Sequence, residues 1–144
     1  MKVVHARDVV SQRRASGQFT GDAWGDVLHE PGDSAAGSRV NLVLFAPGGR
    51  TWWHRHDRGQ SIYVVSGAGI VKTEGQPGTE IAPGDLVVVA PSEWHWHGAA
   101  PDHFVLHLTV NEGNEGSTEW RGIEVLDEEY EAEVRAARGS REAR

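Results

Sequence analysis

The chain has 144 residues, enough for one domain that buries about 70% of the surface exposed by its unfolded form. It contains no cysteine, which excludes disulfide bonds, thiolate metal sites and cysteine nucleophiles. Its formal net charge of −7 argues against broad nucleic-acid binding, which requires a positively charged surface.

The sequence predicts no targeting or membrane segment. Residues 1–10 mix charged side chains with single apolar ones and lack the continuous apolar stretch of a signal peptide. No later segment is long and apolar enough to span a bilayer. We therefore expect a cytoplasmic protein without membrane association.

Residues 1–18 are polar and mixed, and we predict that they form an N-terminal arm. From residue 19 to residue 122, Gly and Pro recur at short intervals and separate β-branched or aromatic runs. The runs predicted as strands are Val40–Phe45, Thr51–His56, Ser61–Val65, Ile70–Thr73, Leu86–Val89, Glu93–His97 and Phe104–Val110. Many short strands with frequent turn residues are typical of an all-β sandwich or barrel, and periodicity alone does not separate the two.

Residues 123–144 are predicted to form a C-terminal helix and a tail. Asp127 is a suitable N-cap for a helix over Asp127–Arg138, with acidic residues in its first turns and arginines in its last. Gly139–Arg144 should fray, because terminal residues lack neighbours that would hold them. The acidic side chains of this segment are interpreted as a solvated face.

Three histidines and a glutamine stand at the spacing of metal ligands. Residues two apart on a strand point to one face, so His54 and His56 can reach a single ion, and Gln60 can join them after a turn. His95 would arrive from a strand distant in sequence. Neutral imidazole is the commonest protein ligand for divalent transition metals, so these four residues predict a metal site.

Two further histidines are candidates for general acid/base catalysis, because imidazole transfers protons near neutral pH. His97 should share the pocket face with the ligand two residues before it. His107 and Thr109 lie on the mixed face of their strand, which suits a polar cavity, and Thr109 is predicted to line the substrate pocket. Trp52 shares the parity of the first ligand histidine and is also predicted to shape that pocket.

Three more tryptophans, Trp53, Trp94 and Trp96, have the opposite parity. If all three indoles were exposed, they would form an unusually apolar patch. We predict that they pack under another sheet or at a homodimer interface. The protein is therefore expected to be a homodimer or a higher homo-oligomer.

The first histidine segment resembles the first motif of the cupin superfamily. That motif places a Gly, a His-x-His pair, an acidic ligand and a second Gly at fixed intervals. The matching residues are Gly48, His54, His56, Gln60 and Gly67, with Gln60 at the position of the acidic ligand.

The second cupin motif begins at Gly84 and reaches its ligand at His95. Ala90 and Ser92 stand where its Pro and Gly usually lie, so this turn departs from the pattern. The resemblance spans about residues 19–130. It implies an all-β fold, the cupin double-stranded β-helix or jelly-roll-like barrel, with one metal in its mouth and a short helix after it.

A narrower resemblance is to small bacterial cupins, some associated with carboxymuconolactone decarboxylases and others manganese-dependent hydroxynitrile lyases. It is carried by Trp53–His56, Gly59–Gln60, His95–Ala99, Glu119–Trp120 and Glu128–Tyr130. The resemblance implies manganese as the metal, the four ligands named above, and pocket histidines at His97 and His107. Iron, zinc, nickel and cobalt remain open, because both affinity order and availability decide which metal is bound.

A ligand set of three histidines and a glutamine is neutral, so it leaves more positive charge on the ion than a set with a carboxylate. A bound hydroxyl should acidify more strongly, or a carbonyl polarise more. Four protein ligands on an octahedral ion would leave two positions for a small substrate. The common iron oxygenase triad has two histidines and a carboxylate, and that acid is missing here.

We therefore expect a metal-dependent lyase, or a related acid/base enzyme, that acts on a small hydroxy or carbonyl compound. Hydroxynitrile cleavage is its most specific form, from the narrow resemblance. An Fe(II) dioxygenase and a non-catalytic cupin that binds a small molecule are the alternatives. Nucleic acid is not expected as a partner.

Overall fold

The computed structural model describes residues 1–14, 16–32, 37–113 and 115–142. These residues contain short antiparallel strands, two single 3₁₀ turns at Ala6–Asp8 and Glu115–Ser117, and one α-helix. The elements are β1 (Gln12–Arg13), β2 (Phe19–Thr20), β3 (Ala23–His29), β4 (Ser38–Phe45), β5 (Arg50–Thr51), β6 (His54–His56), β7 (Gln60–Gly67), β8 (Gly69–Thr73), β9 (Thr79–Ile81), β10 (Leu86–Val89), β11 (His95–Ala99), β12 (Val105–Glu112), β13 (Thr118–Trp120) and α1 (Asp127–Glu142).

The strands form two sheets. The first has the order β1-β3-β4-β12-β7-β10, and the second has the order β13-β6-β11-β5-β2, with β8 pairing with both β11 and β9. All pairs between the named strands are antiparallel. The predicted all-β architecture with a C-terminal helix is confirmed.

Every predicted strand run overlaps an observed strand, but the run Thr51–His56 is divided. A bend at Trp52–Trp53 separates β5 from β6, so the parity that links Trp52 to His54 does not hold across it. The longest strand missed by the sequence patterns is β3, because its Trp-Gly-Asp sequence breaks the β-branched pattern. The predicted arm contributes β1, which pairs with β3 at the edge of the first sheet.

The hydrophobic core lies between the sheets. Phe45 of β4, Val64 of β7 and Val105 of β12 are fully buried and face Val71 and Ala99 of the second sheet. Alternation along β4 and β12 turns every second side chain inward, as expected for a sheet with one buried face. Burial of each large apolar side chain stabilises the fold by about 1.5–3 kcal/mol, so these strands have a firmly fixed register.

Helix α1 covers the outer face of the second sheet, and this changes the interpretation of the tryptophans. Trp96 is 0% exposed, and Trp53 is also buried, in a cluster with Tyr130 and Val134. Trp94 packs at the margin of that cluster, with the Arg121 guanidinium 4.1 Å from its ring centroid. The prediction that another sheet or a homodimer partner covers these indoles was wrong, because the chain's own helix does so.

Helix α1 is longer than predicted and continues through the positions expected to fray, as far as Glu142. The last two residues, 143–144, lie outside the described part of the chain. Among the described residues, no helix has the length and apolar character needed to cross a membrane.

Candidate metal centre

The predicted ligand histidines meet on two neighbouring strands of the second sheet. His54 of β6 and His95 of β11 are register partners, with ring centroids 4.2 Å apart. The His56 ring lies 5.1 Å from that of His54 and 5.6 Å from that of His95. All three side chains are buried. The antiparallel pairing thus brings together residues that are some forty positions apart in sequence.

Each of these rings is held through its Nδ1 atom. His54 Nδ1 lies 2.9 Å from the carbonyl oxygen of Trp52, and His56 Nδ1 lies 3.0 Å from the Thr118 hydroxyl. His95 Nδ1 lies 3.0 Å from the carbonyl oxygen of Glu93. A carbonyl oxygen accepts only, so it places the ring proton on Nδ1 and leaves the Nε2 lone pair available. This is how metal-ligating histidines are usually oriented.

His95 contacts one oxygen acceptor more than its single ring proton can satisfy. Its Nδ1 faces the Glu93 carbonyl, while its Nε2 lies 3.0 Å from the Gln60 side-chain oxygen. Burial lowers the pKa of His95 to about 4, so the ring is neutral and carries one N–H. A lone pair and an amide oxygen therefore face each other, and a cation shared between them removes the conflict.

Asn111 determines which end of the Gln60 amide faces the histidines. The Gln60 side-chain Nε2 donates a 2.8 Å hydrogen bond to the Asn111 side-chain oxygen, and both side chains are buried. The amide oxygen of Gln60 is consequently turned toward His95. His56 Nε2 is buried and has no hydrogen-bond partner within the described residues, so it too can bind a metal.

The imidazoles of the site are kept neutral. Burial, with smaller contributions from the charges of His95 and Arg39, lowers the pKa of His56 to about 3. Burial is also the largest cause that lowers the pKa of His54 and His97 well below the usual value and that of His107 to about 4. Since only neutral imidazole binds a metal, these groups need not lose a proton at neutral pH.

His97 lies within reach of the same centre. Ring nitrogens of His54, His95 and His97 are all within 4.8 Å of one another, so these three could hold a metal ion. His97 Nδ1 is also 3.1 Å from His107 Nε2, and the Phe45 ring packs against both histidines. His97 therefore connects the metal centre to His107, which is buried behind it.

A cavity of about 80 Å³ opens beside the centre. Thr109 lines it, together with His54, His56, Gln60 and His97. Trp52 is not among the lining residues; its indole N–H instead donates a 2.9 Å hydrogen bond to the Thr20 hydroxyl. Thr51, the last residue of β5, lines the cavity instead of Trp52. The strand bends between Thr51 and His54, so the alternation that was used to place Trp52 on the face of His54 does not hold there.

The sequence patterns missed several residues of the cavity wall. Trp120 stacks on His54, with centroids 4.7 Å apart, and Thr118 holds His56. Both lie on β13, which has only three residues and is too short to show an alternating strand pattern. Asn111 could have been found, because it continues the inward parity of His107 and Thr109 on β12.

Asn111 gives a test of how the Gln60 amide is oriented. We expect Asn111→Leu to weaken Mn²⁺ binding by about 10–100-fold, since Gln60 loses the acceptor that fixes its oxygen toward the histidines. The matched control is Asn41→Leu, which changes another buried asparagine of the same cavity that has no contact with Gln60 in the described hydrogen bonds. Competition with a fluorescent chelator measures both affinities, and equal losses in the two variants would contradict the assignment.

Comparison with known proteins places this geometry in a family. Residues 41–111 match the sequence model of the Cupin domain family, Cupin_2. The chain is also 38% identical, over 131 residues, to an (R)-mandelonitrile lyase from Granulicella tundricola. That alignment covers 90% of this chain and 98% of the relative.

Solved structures show the same fold. A cupin-like protein from Thermotoga maritima superposes with a TM-score of 0.79 at 35% identity, covering 85% of this chain and 92% of its own. The polyketide cyclase RemF from Streptomyces resistomycificus superposes with a TM-score of 0.72 over 95% of this chain and 98% of its own. At 20% identity, the second likeness is one of fold alone.

Proposed function

Because the chain belongs to the cupin family, we propose that it is a metal-dependent lyase, or a related acid/base enzyme, acting on a small hydroxy or carbonyl compound. The most specific form of the proposal is hydroxynitrile-lyase-like chemistry, supported by the 38% identity to the mandelonitrile lyase. The observation that carries the metal dependence is the surplus oxygen acceptor at His95.

We propose His54, His56, Gln60 and His95 as the ligands, with manganese as the first candidate metal. These residues fit a divalent ion, since two imidazoles are fixed through Nδ1 by carbonyl oxygens, a third has an unpartnered buried Nε2 among the described atoms, and the amide oxygen faces inward. A divalent ion held there supplies Lewis acidity toward a substrate hydroxyl or carbonyl. His97 lies beside this set, and we assign it to proton transfer because its Nδ1 is engaged by His107.

In this proposal His97 and His107 hold and move the proton. His97 lines the cavity, and its Nδ1 atom lies 3.1 Å from His107 Nε2, so the two rings are in direct contact. Both rings are neutral, so the pair can accept a proton at His97 and share it with His107. Phe45 packs against the His97 ring, Trp120 stacks on His54 at the cavity wall, and Thr109 offers a hydroxyl to the substrate.

The proposal is tested by measuring bound metal and mandelonitrile cleavage in the same samples. We expect the protein purified without chelators to contain a divalent ion, and His97→Ala and His107→Ala to lower kcat by about 10²–10⁴-fold without loss of that ion. The control is His103→Ala, which changes an exposed histidine paired with Asp102. Full turnover in both pocket variants would contradict the proton-transfer role, and inactivity of the metal-loaded protein would remove the hydroxynitrile version.

The alternatives predict other outcomes of these assays. An Fe(II) dioxygenase would consume oxygen with an organic substrate, yet no carboxylate lines the cavity in the described part of the chain. A non-catalytic cupin would bind small molecules without turnover whether or not His97 and His107 are present.

A homodimer or higher homo-oligomer and a cytoplasmic location stay predictions. The outer face of the first sheet exposes Trp24, Tyr63, Leu86 and Val88, an apolar surface that supports association in general. The mass of the protein in solution would decide the oligomeric state.

A further inference from the structure

Two arginines line the same cavity as the candidate metal ligands. Arg14 comes from the N-terminal segment next to β1, and Arg39 comes from β4. Neither belongs to the ligand set or to the histidine pair. Guanidinium groups pair with carboxylates and phosphates, so their presence in a substrate cavity bears on the charge of the substrate.

The Arg14 guanidinium lies in space that is open because Gly25 has no side chain. Gly25 of β3 is buried and pairs with Val43, a residue of the cavity wall. A Cβ at Gly25 would overlap the Arg14 guanidinium. The backbone N–H of Arg14 donates a 2.8 Å hydrogen bond to the Ala23 carbonyl, which fixes the start of the side chain. The inward-facing residue of β3 at this point is a glycine, and the positively charged guanidinium of Arg14 occupies the space beside it.

Arg39 carries its charge close to the ligand histidines. It follows the inward parity of Asn41 and is 12% exposed, with a 2.6 Å ion pair to Glu30. It lines the same cavity as His56 and Gln60. Glu30 itself is not among the cavity-lining residues.

The ionisable side chains that line the cavity are basic. Within the described residues, its lining includes both guanidiniums and no aspartate or glutamate. The imidazoles are neutral, and so is the Gln60 amide, so the ligand set would not offset the charge of a divalent ion. A cleft with one sign of charge and low-dielectric walls attracts small ions of the opposite sign.

We propose that the substrate of this site carries a carboxylate, as in a small hydroxy acid or oxo acid, and that Arg14 binds that carboxylate. The inference rests on the proposed function, because it concerns the same cavity. A volume of about 80 Å³ suits a small compound.

Glycolate and glycolamide provide a matched pair of probes, a hydroxy acid and its neutral amide of nearly the same shape. Their dissociation constants can be measured by calorimetric titration of the full chain loaded with Mn²⁺. We expect wild type to prefer glycolate, and Arg14→Gln to weaken glycolate binding at least about tenfold while changing glycolamide binding by less than about twofold. The control is Arg13→Gln, which removes the same charge from an exposed arginine paired with Asp22 outside the cavity, and it should leave both constants unchanged.

Gly25→Ala is a second variant that keeps the arginine. The new methyl group would displace the flexible end of Arg14, so this variant should lose glycolate affinity as Arg14→Gln does and retain its melting temperature within a few degrees. Equal effects of Arg14→Gln on both probes, or no effect on glycolate, would overturn the proposal. Failure of the turnover assay is a separate result, because glycolate binding is measured without turnover. If the protein binds no Mn²⁺, the same titrations of wild type and Arg14→Gln are made with the metal-free full chain, so failure of the metal assay is also distinguishable.

Discussion

Replacing His95 with alanine should abolish metal binding. Its imidazole lies at the centre of the proposed ligand set, 4.2 Å from the His54 ring and 3.0 Å, through Nε2, from the Gln60 oxygen. It is 0% exposed, so its imidazole nitrogen is lost from the buried interior of the proposed ligand set. We expect Mn²⁺ affinity to fall by more than about 10³-fold. Loss of a residue that only hydrogen-bonds to a ligand costs about 10–100-fold in metal affinity, and loss of a ligand itself should cost more.

Two measurements test this expectation. Elemental analysis of protein purified without chelators should find a divalent ion in wild type and none in His95→Ala. Mn²⁺ should raise the melting temperature of wild type and leave that of His95→Ala unchanged, because a ligand at 100 times its Kd stabilises the folded state by about 2.7 kcal/mol.

The control for His95→Ala is His103→Ala, whose exposed ring pairs with Asp102 away from the cavity. It should keep both the bound ion and the Mn²⁺-dependent rise in melting temperature. If His95→Ala retained stoichiometric metal, the ion would be held elsewhere and the proposed chemistry would fail. A folded but metal-free His95→Ala protein, shown by an unchanged far-ultraviolet circular dichroism spectrum, is the expected state.

The local part of this centre could be predicted from the sequence. His54 and His56 are two residues apart on one strand, so their side chains point to the same face. The same alternation along β12 turns His107 and Thr109 inward. The cross-strand register that puts His95 opposite His54 depends on the whole sheet, and only the family resemblance supplied it. Patterns over a few residues do not encode such long-range pairings.

What the sequence patterns missed depends on tertiary structure. The indoles of Trp53 and Trp96 have the parity expected for the outer face, but no local signal shows that α1 folds back over them. Trp52 does not line the cavity because the strand bends there, and its indole N–H donates a hydrogen bond to the Thr20 hydroxyl. Arg14 enters the cavity only because Gly25 faces it across β1 and β3. These features arise from contacts between segments that are each weakly patterned.

The second large effect is expected at Arg50, the arginine that fastens α1 to the barrel. Arg50 is 3% exposed, and its Nε and Nη2 donate hydrogen bonds of 2.9 and 2.7 Å to the Val125 carbonyl. Its Nη1 donates a 3.0 Å hydrogen bond to the Gly48 carbonyl. The guanidinium also lies 4.7 Å from the centroid of the Tyr130 ring, on the first turn of the helix.

Arg50→Met should lower the free energy of unfolding by about 2–4 kcal/mol, because the Val125 and Gly48 carbonyls both lose this donor and each unsatisfied buried acceptor costs about 1–3 kcal/mol. Methionine keeps much of the apolar stem but leaves the buried Val125 carbonyl without a donor. The Asp127 carboxylate contributes little to this loss, because its side chain is 85% exposed and solvent screens its 2.7 Å ion pair with Arg50. Urea unfolding followed by far-ultraviolet circular dichroism measures the change.

Arg55→Met is the matched comparison, since Arg55 also pairs with a carboxylate and lies near a tryptophan ring. Its partner Glu119 and its own side chain are both partly open to solvent, so we expect a loss of less than about 1 kcal/mol. A similar loss in both variants would mean that the ion pairs, and not the buried carbonyls, hold α1 in place. The expected contrast would instead assign the anchoring of α1, and with it the cover over Trp96, to backbone carbonyls that only a buried guanidinium can satisfy together.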